Sequence, residues 1–164
     1  MTDALAVVTG VLALLDHLRV PCHLFGGWAE ELLGLRPPGP HRDIDLVHLA
    51  PSFEAIDRAL ASGGLGREIV PKRFPHKRAF LVDAICCEIL LIDPSTDPPL
   101  TWFWGDVRFS WQRPLLEPER AGKTISTLSR ANLLHYRAQH RRLEPERWRS
   151  FQPSWLAACS RSNP

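Results

Sequence analysis

Several features are missing from this 164-residue sequence, and their absence limits what the protein can be. The longest apolar run, ALAVVTGVLALL, is too short to cross a bilayer, and no basic segment precedes it as in a secretory leader. The four cysteines form no C-x-x-C motif, so neither a disulfide framework nor a zinc site is indicated. We therefore expect a reduced, cytoplasmic protein that has no membrane partner.

The sequence also lacks internal repeats and any linker that would divide it. Apolar residues make up 45% of the chain and charged residues 23%, which is typical of a folded soluble domain. We predict a single domain over residues 1–150, followed by a flexible C-terminal tail over residues 151–164.

Charge is distributed unevenly along the chain. Residues 1–107 hold 9 Lys and Arg against 14 Asp and Glu, whereas residues 108–164 hold 11 against 4. The basic C-terminal portion suits contact with phosphates, nucleic acid or an acidic neighbouring subunit, and it equally suits a solvated helix face.

Apolar periodicity and turn residues predict a mixed α/β (α+β) domain, with a small mixed sheet flanked by helices. Helices are expected over residues 3–19, 28–33 and 53–60, and a last helix, RANLLHYRAQHRR, is capped by Ser129 with Leu133 and Leu134 on its buried side. Strands are expected at CHLFG, DIDLVHL, KRAFLVD, ICCEILLI and residues 124–128. No regular structure is predicted between residues 93 and 118, where Pro and Trp are frequent.

Two aspartates in the strand DIDLVHL are the first candidate for a functional site. Side chains alternate along a strand, so Asp43 and Asp45 point to one side with about 6.6 Å between their Cα atoms. Two carboxylates so placed repel each other unless a cation lies between them. Mg²⁺, which prefers oxygen ligands, is the natural choice.

A third carboxylate would complete a site for two metal ions of the kind that serves phosphoryl and nucleotidyl transfer. Glu88 lies within the apolar strand ICCEILLI, where an exposed charge is not expected. Asp83 is the competing candidate, although it occupies a position suited to a hairpin turn with Ala84.

A pair of glycines precedes the second predicted helix. Gly26 and Gly27 stand between a strand and a helix start, where backbone N–H groups favour a phosphate and glycine allows close approach. Lys77, at the beginning of the predicted hairpin, is a further candidate phosphate contact.

The order G-G-W-A and then H-x-D-I-D-L resembles the small-molecule nucleotidyltransferases of the polymerase-β-like superfamily. The aminoglycoside 2''-adenylyltransferases and the lincosamide nucleotidyltransferases are the members it is most similar to, over about residues 10–92. The resemblance implies a nucleotidyltransferase-like fold. It also implies Mg²⁺-dependent transfer of a nucleoside monophosphate, AMP above all, from an NTP to a hydroxyl of a small molecule such as one of these antibiotics, with release of pyrophosphate.

The resemblance also implies roles for individual residues. Gly26 and Gly27 would hold the triphosphate, and Asp43 and Asp45 would bind two Mg²⁺ ions. Glu88 would be the third ligand and the base for the acceptor hydroxyl. His41 belongs to the shared motif and would contribute to nucleotide binding.

The sequence departs from the family pattern at Gly39, where relatives carry an arginine two residues before the motif histidine. Arg42 or Arg36 would substitute for it in binding the nucleotide. Further along the chain, the last helix places Arg137 where the superfamily often has a basic residue.

Three aspects stay open at this level. Trp102, Trp104 and Trp111 form either an aromatic wall for a sugar or base, or part of the core. The alternative functions are a toxin–antitoxin type of nucleotidyltransferase that modifies tRNA or a protein, and a catalytically silent nucleotide-binding module. A homodimer that builds the acceptor pocket between two copies is a further hypothesis.

Overall fold

Helices and short strands alternate through most of the chain. The computed structural model describes residues 2–118 and 125–143. Its elements, in chain order, are α1 (Thr2–His17), β1 (Cys22–Leu24), α2 (Gly26–Leu32), β2 (Asp43–Leu49), α3 (Glu54–Ala61), β3 (Arg67–Glu68), a 3₁₀ turn (Val70–Lys72), β4 (Lys77–Val82), β5 (Ile85–Ile92), β6 (Leu100–Phe103), β7 (Val107–Ser110) and α4 (Arg130–Leu143).

A five-stranded sheet in the order β1-β2-β5-β4-β3 forms the framework. β2 and β5 pair in parallel, whereas the other neighbouring strands are antiparallel. β5 is a nearly continuous apolar run because both of its faces are covered, as is usual for a strand with a parallel partner. The predicted mixed fold is confirmed.

The β4–β5 hairpin is confirmed at the predicted turn. Val82 pairs with Ile85, and Asp83 between them adopts a left-handed conformation with a φ angle of 55°. Aspartate tolerates this conformation better than most residues, which explains why the chain can reverse there.

The segment with no predicted structure contains a second, two-stranded sheet formed by β6 and β7. Its strands are only four residues long, too short for a clear alternating pattern. Trp102 is 50% exposed, whereas Trp111 is 1% exposed and packs edge-on against Phe109. Of the two alternatives left open for the tryptophans, the core position is confirmed for Trp111, whereas Trp102 faces solvent, so the three do not form one aromatic wall.

The predicted strand over residues 124–128 is also wrong in the part that the structure describes. Thr127 makes an isolated bridge with Leu24, and Leu128 makes another with Leu116. Neither bridge continues to a second residue pair, so these residues do not form a strand. The predicted tail over residues 151–164 lies outside the described residues, as does the end of the predicted domain. None of the described helices has the length and apolar character needed to cross a bilayer.

α4 begins at the predicted cap. The hydroxyl oxygen of Ser129 accepts a hydrogen bond from the backbone N–H of Asn132 at 3.4 Å. Leu133 is 2% exposed, but Leu134 is 49% exposed, so the prediction that both are buried is half wrong. Successive helical residues point about 100° apart, and one of two adjacent leucines must turn outward.

These two leucines provide a matched test of how α4 is held. Leu133→Ala is expected to lower the free energy of unfolding by about 2–5 kcal/mol, because it opens a cavity in the core. Leu134→Ala is expected to change it by less than about 0.5 kcal/mol. Urea denaturation of both variants measures this, and equal losses would show that α4 does not pack through Leu133.

Candidate active site

β2 brings both aspartates to one face of the sheet. Ile44, which separates them, turns into the core and is 2% exposed. The parallel register places Asp45 beside Glu88 and Asp43 beside Cys86. Because paired residues of neighbouring strands share a face, the three carboxylates lie on the same side, where they line a cavity of about 460 Å³.

Asp83, the competing third carboxylate, lies elsewhere. It is exposed in the β4–β5 turn and is not among the described residues that line the cavity. The pairing of Glu88 with Asp45 across the two central strands therefore makes Glu88 the better candidate.

Glu88 is held between two buried lysines. Lys77 Nζ donates to its Oε2 at 2.8 Å, and Lys72 Nζ, from the 3₁₀ turn, donates to its Oε1. Glu88 is 5% exposed, Lys77 is 8% exposed and Lys72 is 1% exposed. A buried carboxylate is stable only when paired and hydrogen-bonded, and here both of its oxygens are.

The charges of this cluster shift the pKa values of two carboxyl groups in opposite directions. Burial alone would raise the pKa of Glu88, but the ammonium groups of Lys77 and Lys72 outweigh it and lower the pKa to about 2. Burial, followed by the nearby negative charge of Glu88, raises the pKa of Asp43 above its usual value. The ionised form of Asp43 is therefore destabilised by its surroundings, whereas the ionised form of Glu88 is stabilised by the two lysines.

Gly26 allows α2 to begin against Asp45. Its φ angle is +61°, and a Cβ atom there would lie 2.4 Å from Asp45 Oδ2. The backbone N–H of Phe25 donates to the carbonyl of Asp45 at 2.9 Å, which holds the residue before α2 against β2. Only glycine fits between them.

Gly27 faces the proline-rich loop. A Cβ atom on Gly27 would lie 3.0 Å from both Arg36 Nη1 and His41 Cε1. His41 stacks on Trp28, with 4.0 Å between the ring centroids, and its Nε2 lies 2.8 Å from Glu31 Oε1. His41 thus packs behind the glycines rather than lining the cavity.

The predicted basic contacts are divided between the cavity and its surroundings. Lys77 and Arg36 line the cavity, whereas Arg42 is exposed and is not among the described lining residues. Arg36 is therefore the better substitute for the arginine that the sequence lacks at Gly39.

α4 forms the opposite wall of the cavity. Its lining side chains are those of Leu133, Tyr136, Arg137, His140 and Arg141. Arg137 is ion-paired with Glu30 of α2, and Arg130 Nη2 donates to the carbonyl of Leu33 at 2.8 Å. These contacts join α4 to the helix that carries the two glycines.

The carboxylates of the cavity differ in how well they fit a metal ion. In residues 2–118 and 125–143, no three His, Cys, Asp or Glu side chains are placed so that together they could hold a metal ion. The aspartate pair nevertheless fits Mg²⁺, because it offers carboxylate oxygens. Burial and then the charge of Glu88 raise the pKa of Asp43, and a bound cation would stabilise its ionised form. Glu88 fits less well, since a metal would compete with Lys72 and Lys77 for its oxygens.

Residues 7–91 match the family model described as aminoglycoside-2''-adenylyltransferase, over just more than half of the chain. The chain belongs to the aminoglycoside-2''-adenylyltransferase family. It is therefore a nucleotidyltransferase, and the family implies an NTP substrate. The match includes Asp43, Asp45 and Glu88 but ends before α4.

Solved structures share the fold of this family member at low sequence identity. The lincosamide antibiotic adenylyltransferase LnuA, bound to lincomycin, is 19% identical with a TM-score of 0.59, covering 79% of this chain and 82% of LnuA. ANT(2'')-Ia in complex with adenylyl-2''-tobramycin is 16% identical with a TM-score of 0.57, covering 95% and 84%. A putative nucleotidyltransferase from Thermotoga maritima is 18% identical with a TM-score of 0.57, covering 95% and 94%. A comparison with curated proteins gives no match.

Sequence reasoning missed Lys72, Glu30 and Arg141. Lys72 follows a proline in a short turn and carries no signal of burial. Glu30 and Arg141 meet the cavity only because α2 and α4 pack around it. The periodic spacing of α4 could have indicated a shared face, but not what that face lies against.

The buried lysine gives a test of the cluster. Lys72→Met is expected to lower the free energy of unfolding by about 3 kcal/mol. This is the low end of the range for breaking a buried ion pair, because Lys77 remains beside Glu88. Arg58→Met, which removes an exposed pair with Glu54, should cost less than about 1 kcal/mol. Urea denaturation compares them, and equal effects would mean that Lys72 is not buried against Glu88.

Proposed function

We propose that the protein transfers AMP from ATP to a hydroxyl of a small-molecule antibiotic, with Mg²⁺ as cofactor and pyrophosphate as the second product. One observation carries this proposal: the central strands place Asp43, Asp45 and Glu88 in one cavity with Gly26 and Gly27. Family membership supports the nucleotidyl transfer, and the word adenylyl in the family description supports ATP.

Asp43 and Asp45 would hold the metal, and the resemblance to the superfamily implies two ions. When bound, such ions polarise the α-phosphate and neutralise the charge that develops on pyrophosphate. Gly26 and Gly27 add no side chain to the cavity, so a nucleotide can approach the backbone there. Lys77 and Arg36 bring positive charge to the same space for its phosphates.

In the transfer, the acceptor oxygen forms a bond to the α-phosphorus. The bond from that phosphorus to the bridging oxygen breaks, and pyrophosphate leaves with the electron pair. We assign the acceptor proton to Glu88. Its oxygens both accept hydrogen bonds from lysines, so the role requires that a phosphate draws Lys77 away and frees Oε2. His41 would support this end of the site by packing beside Gly27.

The printed names of the solved relatives support an antibiotic as acceptor. LnuA was solved with lincomycin, and ANT(2'')-Ia with an adenylylated tobramycin. Tobramycin and lincomycin are therefore the first acceptors to assay. A homodimer that completes the acceptor pocket stays a prediction.

An RNA acceptor is the second candidate, and one observation favours it. The last turn of α4 carries His140, Arg141 and Arg142, all exposed. Such a basic end could contact a phosphate backbone, and binding would then weaken steeply with salt. Salt-independent nucleotide transfer to a small molecule would exclude this candidate.

Asp43→Asn tests the proposed site through stability and activity together. Burial and the charge of Glu88 raise the pKa of Asp43 in the folded state, so its ionised form destabilises the fold relative to its protonated form. Stability should therefore increase as the pH falls through the pKa of folded Asp43 toward that of the unfolded chain. The neutral amide should therefore raise the melting temperature by a few degrees. AMP transfer should fall more than about 100-fold, since even the loss of an outer partner of a metal site costs about 10–100-fold.

Asp97→Asn is the control, because its side chain is 92% exposed and does not belong to the described lining of the cavity. It should change neither the melting temperature nor the transfer rate. Isothermal titration with Mg²⁺ and each NTP completes the test. If Asp43→Asn still binds nucleotide in a metal-dependent way, or if the wild-type protein binds none, the proposed function is wrong.

A further inference from the structure

One face of α4 lies along the cavity. Leu133, Tyr136, Arg137, His140 and Arg141 recur at the three-and-four spacing of a helix, so they form a single stripe. The first two residues are apolar or aromatic and the last three are basic. This stripe lies outside residues 7–91, which match the family model and carry the glycines, the aspartates and Glu88.

The carboxylates of the cavity already have cationic partners or an assigned metal. Among the described lining residues there are four carboxylates, at Glu30, Asp43, Asp45 and Glu88. Glu30 is paired with Arg137, and Glu88 with Lys72 and Lys77. Under the proposed function, the two aspartates bind metal. Within the described lining, every carboxylate therefore has a cationic partner, either a side chain or the proposed metal, before an acceptor binds.

Positive charge in the same lining is at least as abundant. Arg36, Lys77, Arg137 and Arg141 equal the carboxylates in number. Lys77 and Arg137 are the partners of Glu88 and Glu30. Under the proposed function Arg36 meets the nucleotide, so Arg141 is the cation of the described lining left to face an acceptor. A polyamine acceptor would bring several ammonium groups into this space. Like charges close together are costly, and such repulsion is a common basis for discrimination between ligands.

We propose that the acceptor is a hydroxyl compound with no more than one positive charge, and that Arg141 acts to exclude polycationic acceptors. This inference rests on the proposed function and narrows its acceptor class. Of the two antibiotic types bound by the solved relatives, it selects a compound of the lincomycin kind, with a single amine, over one of the tobramycin kind, with several.

The test is a charge reversal with its control on the next residue. Arg141→Glu places a carboxylate in the cavity wall, whereas Arg142→Glu makes the same change at a residue that bonds Gln139 and does not belong to the described lining. Each protein is loaded with Mg²⁺ and a non-hydrolysable ATP analogue, and isothermal titration then measures tobramycin and lincomycin binding.

We expect Arg141→Glu to bind tobramycin at least about tenfold more tightly than wild type, and the gain to shrink at high salt. Arg142→Glu should stay within about twofold of wild type, and lincomycin binding should change little in either variant. The inference is overturned if wild type binds tobramycin more tightly than lincomycin, or if the two reversals affect tobramycin equally or not at all. Failure of the ATP analogue to bind wild type at all would instead overturn the proposed function.

Discussion

The parallel pairing of β2 with β5 is the constraint on which the site depends. It aligns Asp45 with Glu88, so two carboxylates from distant parts of the chain become neighbours on one face. A shift of this register by one residue would turn Glu88 to the opposite face of the sheet. Register is well specified here because Ile44 and Cys87 fill the other face of the same pair.

Three carboxylates on one face of the sheet repel one another and lose hydration. The fold compensates this for Glu88 but not for Asp43. Lys72 and Lys77 neutralise Glu88 and lower its pKa, whereas Asp43 keeps a raised pKa because burial and the charge of Glu88 act on it together. The imbalance has a functional meaning. Glu88 is stable without a ligand, and the aspartate pair is the part of the site that gains most from a cation.

The cavity lies between the segment that matches the family model and α4, which follows that segment in the chain. The matched residues 7–91 supply the glycines, the aspartates and Glu88. α4 supplies the opposite wall, and its contacts from Arg137 to Glu30 and from Arg130 to Leu33 hold it against α2. Nucleotide chemistry and acceptor choice can thus reside on different elements, which is how one fold serves several acceptors.

The sequence by itself determined the local features of this protein. Periodicity predicted α1, a cap and a glycine stop predicted α3, and turn residues predicted the β4–β5 hairpin. Alternation along DIDLVHL placed Asp43 and Asp45 on one face. All of these patterns depend on neighbouring residues alone. The order G-G-W-A and then H-x-D-I-D-L was likewise enough to indicate the family. β6 and β7 escaped prediction because four residues are too few to show a period.

Only the tertiary structure decided what meets across the sheet and the cavity. The burial of Lys72, the outward turn of Leu134 and the separation of Trp102 from Trp111 all depend on which element packs over each residue. The choice of Glu88 over Asp83 depends on the partner strand of β5, and the position of Arg141 depends on where α4 docks. Such contacts join residues far apart in the chain, so no local pattern encodes them.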